Sequence, residues 1–147
     1  MPPAARRAAF EAGLAAYANG DFFLAHELLE PPWMGARDLA ERELIQGVIK
    51  LAAAFVHGAR LNPAGIEKNL RGARERLANA VAAGPRLGVD VPGLLEAIDV
   101  RLAEPSRVGD PPIQIERLAA TPRPRPAPSR LWRASGAPAT RRSGSGG

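Results

Sequence analysis

Apolar residues recur at helical spacing over most of the first hundred positions. Phe10, Leu14 and Tyr17, at steps of four and three, predict a first helix over roughly 4–18. "NGD" interrupts it, with Gly20 as a C-terminal stop and Asp21 as the N-cap of the next helix. Phe22, Ala25 and Leu29 mark the core side of that second helix. It is predicted to stop at Glu30, because a residue before proline is driven out of helical geometry and Pro31 and Pro32 follow. The third and longest helix, roughly 38–58 with Asp38 as cap, turns Leu44, Ile45, Val48, Leu51, Ala52 and Phe55 inward. "NPAG" restarts the chain with Asn62 as cap and Pro63 at the first helical position. Ile66, Leu70, Ala73, Leu77 and Ala80 then recur at steps of 4, 3, 4 and 3, a narrow stripe suited to antiparallel packing at a shallow angle. "AAGPRLG" ends that helix, and a fifth over roughly 92–103 presents Leu95, Ile98 and Leu102. Residues 1–104 contain no strand-like run, glycine-rich phosphate loop or internal repeat. The predicted fold class is all-α, a compact up-and-down bundle of about five helices joined by short connections.

The pattern fails after Glu104. Residues 105–147 hold 8 of the 15 prolines and 8 arginines against only Asp110 and Glu116. "PPIQIERLA" alternates Ile113 and Ile115 and predicts an extended strap over 105–120. Residues 121–147 have no hydrophobic period and too little apolar surface to offset ordering entropy, so a disordered basic tail is expected there. The net charge of +5 divides accordingly: residues 1–104 carry −1 and residues 105–147 carry +6. Any nonspecific nucleic-acid binding is therefore expected through the 121–147 tail. Trp132 in that tail would stack on a base, insert into a partner, or touch nothing.

With no cysteine, disulfides and thiolate metal sites are excluded, which fits a reducing, cytoplasmic setting. "VIKLAAAFV", the most apolar stretch, is short and contains Lys50, so no membrane span is expected.

"GDFFLAHELLEPPW", "ELIQGVIKLAAAFVH" and "NPAGIEKNLRGARERL" together resemble the prokaryotic domain of unknown function 309 family. That family shows a Gly, aromatic, His-Glu, Glu, Trp pattern followed by a Leu-Ile-Gln-Gly helix. The likeness covers about residues 10–82. It implies a compact all-helical fold and no established activity. The residues matching the family pattern are His26, Glu27, Glu30, Trp33, Gln46 and His57.

His26 and Glu30 stand one helical turn apart and project from one face. The spacing is not that of a zinc protease, which needs a second His where Glu30 stands. The pair could still share a metal, with other donors from Glu43, Gln46 or His57. No metal is assigned, His26 and Glu30 being the candidates, and cofactors are left open. At about 100° per residue, Gln46, Lys50 and His57 fall within roughly 60° of Glu43, opposite the apolar face of the third helix. That stripe is either plain solvent face or one wall of a shallow groove. A helix ending at Glu30 would set its carboxylate against the macrodipole, which asks for a partner. The spacing therefore predicts a direct His26–Glu30 contact with Gln46 in hydrogen-bond reach. Trp33 is read as a core anchor with its indole N–H bonded to a carbonyl, or as a cap over the groove. Three function classes follow: a structural or protein-interaction module whose polar cluster is a clip or small-ligand site; a metal-assisted or acid–base hydrolytic enzyme; and a nucleic-acid-associated protein acting through its arginine tail.

Overall fold

The computed structural model describes residues 1–56 and 63–118. His57, Asn62, Trp132 and the whole 121–147 segment lie outside the described residues.

Five helices follow in order: α1 (Pro3–Ala18), α2 (Phe22–Gly35), α3 (Leu39–Phe55), α4 (Pro63–Val81) and α5 (Val91–Leu102). A single 3-10 turn, Pro105–Arg107, follows α5. Among the described residues there is no strand, only an isolated antiparallel bridge between Val89 and Arg117. Side-chain carboxylates start three of the helices as caps. Asp21 accepts from the Leu24 N–H, Asp38 from Glu41 and Asp90 from Gly93. Gly20, at φ +82°, makes the left-handed turn between α1 and α2.

Each helix packs on the next in sequence, α1 on α2, α2 on α3, α3 on α4 and α4 on α5, with the α3–α4 seam the most extensive. Six apolar residues of α3, Leu44, Ile45, Val48, Leu51, Ala52 and Phe55, are buried, and so is the whole α4 stripe from Ile66 to Ala80. Phe22 links the helices, lying 5.0 Å from the Tyr17 ring, edge on, and 5.7 Å from Phe55. In α5 the buried set is Val91, Leu94 and Ile98, while Leu95 and Leu102 sit half-buried at the edge. The inward face of α5 is thus turned by one residue from the one its sequence suggests.

α2 departs from expectation more sharply. It does not stop at Glu30 but runs through Pro31 and Pro32 to Gly35. Neither proline can donate to the carbonyl four residues back, so Glu27 and Leu28 lose their helical acceptor bonds, a cost of roughly 3 kcal/mol for a proline in a helix interior. Packing offsets this: Leu29 and Pro32 are fully buried and Trp33 is half-buried against the core. The local propensity to break is overridden by what the last turn covers.

Residues 108–118 run without helix from α5 back to α1. Val108 and Ile113 are buried, and the buried Tyr17 hydroxyl donates to the Ile113 carbonyl. Burial pushes the Tyr17 phenol well above its ordinary range. Arg101 donates to the Pro111 carbonyl. Arg117 forks onto Glu11 of α1 at 2.7 and 2.9 Å and also donates to the Leu87 and Gly88 carbonyls. Gly88 has φ +69°, and a Cβ there would stand 2.9 Å from Arg117 Nη2, so both backbone and space demand glycine.

Two outcomes follow. Gly47→Ala should lower stability in urea by about 1 kcal/mol net, overpacking at the α4 crossing outweighing the helical gain of alanine. Its Cβ would stand 2.7 Å from Leu77 Cγ, inside the fully buried seam. The second concerns Glu11, whose carboxyl is held below the usual range chiefly by its hydrogen bonds from Arg117. Its contribution is fully present above the unfolded-chain value and is lost as pH falls through the lowered folded value. Thermal melts taken from about pH 5 downward should therefore show a smaller pH slope for Glu11→Gln than for the parent.

Candidate functional site

The continuation of α2 to Gly35 sets the geometry of the candidate site. At about 100° per residue, Phe23, Glu27, Glu30 and Met34 fall within an arc of roughly 60°. All four are exposed, Phe23 at 62% and Met34 at 68%. Leu24 and Pro31 are exposed beside them, and Leu39 at the start of α3 is 72% exposed. His26 and Trp33, two turns apart, share the other edge of α2, and both are half-buried.

On that edge Arg42 of α3 meets Trp33 twice. Its guanidinium lies 4.7 Å from the indole centroid, and its Nη1 donates to the Trp33 carbonyl at 3.3 Å. Trp33 therefore anchors through its backbone oxygen and ring face. Among the described residues its buried indole Nε1–H has no acceptor, so the expected N–H to carbonyl bond is not formed there. Gln46, one turn beyond Arg42, is half-buried.

Among the described residues, the side chains of His26, Glu30 and Gln46 make no hydrogen bond or ion pair with one another or with other groups. The contact predicted from the spacing is not made. Its premise is removed as well, since Glu30 lies mid-helix and exposed, away from the C-terminal dipole. Among the described residues no three His, Asp or Glu side chains gather where they could hold a metal.

Glu43 behaves differently from every expectation for its stripe. It is 8% exposed, accepts from Asn79 Nδ2 at 2.6 Å, and faces Arg76 Nη1 at 3.3 and 3.4 Å. One turn on, Gly47 abuts Leu77, and the Lys50 stem lies against Gly72. Glu43, Gly47 and Lys50 are therefore the seam with α4, neither solvent face nor open groove wall. Sequence reasoning passed over this polar anchor. The signal for it was Gly47, since a glycine inside a helix, one turn from a carboxylate, marks close approach of a neighbour.

Two cavities open on the surface. One of about 580 Å³ lies between α1 and the strap, with Leu14, Tyr17, Phe22 and Ile113 on its walls and Glu11 and Arg117 at hand. The other, about 450 Å³, is bounded by Met1, Arg6, Met34 and Arg37. Neither is lined by His26, Glu27, Glu30, Trp33 or Gln46.

The model of the family described as Domain of unknown function (DUF309) matches residues 10–69. The chain resembles DUF309. No curated protein matches it. The DUF309-like stretch takes in the end of α1 from Phe10, all of α2 and α3, and α4 as far as Asn69. It contains His26, Glu27, Glu30, Trp33 and Gln46. His57 is also inside the match but outside the described residues. Arg76 and Asn79, which hold Glu43, fall beyond the match, as does the strap.

The contrast between Glu43 and the α2 carboxylates is measurable. Glu43→Ala should cost about 1–3 kcal/mol in chemical denaturation, because Arg76 and Asn79 lose their acceptor in a partly buried seam. Glu27→Ala and Glu30→Ala should stay within about 0.5 kcal/mol of the parent, as for other exposed positions that make no ion pair among the described residues.

Proposed function

We propose that the protein is a protein-interaction module whose recognition surface is the outer face of α2. The observation that carries this reading is the concentration of exposed large apolar side chains there. Phe23, Leu24 and Met34 lie on α2 and Leu39 just after it, 40–72% exposed, grouped around the carboxylates of Glu27 and Glu30. Scattered single apolar residues are ordinary on a surface, but a group on one helix marks a contact site. The pattern asks for a partner that brings cations together with apolar groups, and one matching the whole face would carry apolar groups about 16 Å apart with cations between them. On the α3 side of this face Arg42 holds Trp33 through the indole ring and the backbone carbonyl. The helix is held from behind by Ala25, Leu29 and Pro32, so its outer side chains are free of structural duty.

A cytoplasmic setting suits the reading. The chain has no cysteine, and among the described residues no helix is long and apolar enough to cross a membrane.

The test is a synthetic helical peptide of pattern Leu-x3-Lys-x2-Lys-x3-Leu, titrated into the labelled protein and followed by amide NMR shifts. The shifts should concentrate on residues 22–39, and binding should weaken as salt rises. Phe23→Ser with Met34→Ser should abolish the shifts while leaving the thermal midpoint within a few degrees of the parent. Shifts confined to other helices, or retained in the double variant, would sink the reading.

A further inference from the structure

The acidic carboxylates of the α2 face lack cations from the bundle itself. Glu27 and Glu30 are exposed and form no ion pair among the described residues, although six other carboxylates there do. Residues 1–104 carry a net charge of −1, whereas the rest of the chain carries +6. Within that basic segment, Leu131 and Trp132 stand between Arg130 and Arg133, two large apolar side chains flanked by cations.

A second copy of the chain is a poor occupant. Two α2 helices crossed about a two-fold axis would pair Phe23 with Met34 but bring Glu27 and Glu30 of both copies together at the centre. That places four carboxylates side by side, and like charges so juxtaposed are strongly disfavoured. The basic segment has the opposite character. Arg130 and Arg133, three positions apart as Glu27 and Glu30 are, supply the cations for the two carboxylates, while Leu131 and Trp132 supply apolar contact to one end of the face.

Reach and starting point agree. The described residues end at Leu118, whose N–H donates to the Gly88 carbonyl, next to Arg117 on Glu11 of α1. α1 packs directly on α2. The 12 residues from Leu118 to Arg130 span up to about 40 Å when extended. A domain of this size has a radius of gyration of only about 13 Å, so the segment can travel from α1 round to the outer face of α2.

We propose that the face of α2 carrying Phe23, Glu27, Glu30 and Met34 is the docking site of this chain's own segment Arg130–Arg133. The interaction is intramolecular, so the segment competes with any external basic partner for the same surface. The inference rests on the α2 reading above and adds the identity of an occupant.

The experiment uses the full chain, the triple variant Arg130→Ala, Trp132→Ala, Arg133→Ala, and the double variant Glu27→Lys, Glu30→Lys. In the parent, the indole N–H cross-peak of Trp132 should move when Glu27 and Glu30 are reversed, and should not change on tenfold dilution. The Leu-x3-Lys-x2-Lys-x3-Leu peptide should bind the triple variant about three- to tenfold more tightly than the parent, since a tethered competitor has been removed. Equal peptide affinity for both chains, with a Trp132 peak indifferent to the charge reversal, overturns the docking of the tail while the α2 reading stands. A Trp132 shift that depends on dilution overturns the intramolecular assignment in favour of a second copy. Absence of peptide binding to the parent and to the triple variant overturns the α2 reading, and the tail assignment with it.

Discussion

A Cβ on Gly47 would stand 2.7 Å from Leu77 Cγ and 3.4 Å from the Ala73 carbonyl, so only a bare backbone lets α4 lie this close to α3. The remaining contacts of the bundle are arranged around that approach. With the helices so near, a side chain one turn from Gly47 cannot avoid the seam, and Glu43 is carried into it. Arg76 and Asn79 meet the carboxylate there. A charge in this position is tolerable only because both partners come from the facing helix. Lys50, on the far side of Gly47, lays its side chain along Gly72. The α3 flank that is polar in composition is therefore committed to α4, and its other flank is left to α2.

That second flank explains why two prolines do not end α2. A stop at Glu30 would remove Pro32 and Trp33 from the core and free Arg42 of its ring contact. Continuing costs two backbone hydrogen bonds on carbonyls of the half-exposed side, where water replaces them. Burial of roughly one large side chain, at about 1.5–3 kcal/mol, is of the same size as the proline cost. The Arg42 contacts with Trp33 then tip the balance. The consequence is geometric: His26 and Trp33 come onto one edge and Phe23, Glu27, Glu30 and Met34 onto one face.

The helices were legible because their signals are local. The caps at Asp21 and Asp38 and the 4-3-4-3 stripe of α4 needed no knowledge of neighbours. What failed was whatever depended on which neighbour lies where. Angular projection placed Glu43 and Lys50 on one stripe, but it could not say that α4 covers both. The residue-before-proline rule is a local preference, and the tertiary packing of Pro32 and Trp33 overrode it. The His26–Glu30 contact was inferred from the false helix end at Glu30. Once the helix continues, the dipole argument for that pair disappears. His26, Glu27, Glu30 and Trp33 lie on α2 and Gln46 on α3, but the bonding expected among them is not formed.

Phe23, Leu24, Met34 and Leu39 complete the physical case. Burying such side chains would stabilise the bundle by about 1.5–3 kcal/mol each, yet the fold leaves them in water. The positions are not forced on the chain by the core, because Ala25, Leu29 and Pro32, with Phe22, Leu28 and Trp33 beside them, hold α2 in place. A polar residue at Phe23 would serve the helix equally well, and the Asp21 cap would still fix its start. By contrast, the apolar side chains of the α3–α4 seam are wholly accounted for by packing. One helix thus separates two physical tasks, with its inner face explained by the core and its outer face unexplained by the packing of the described residues. An outer face of that kind, apolar at both ends and anionic between, is what the proposed binding role accounts for.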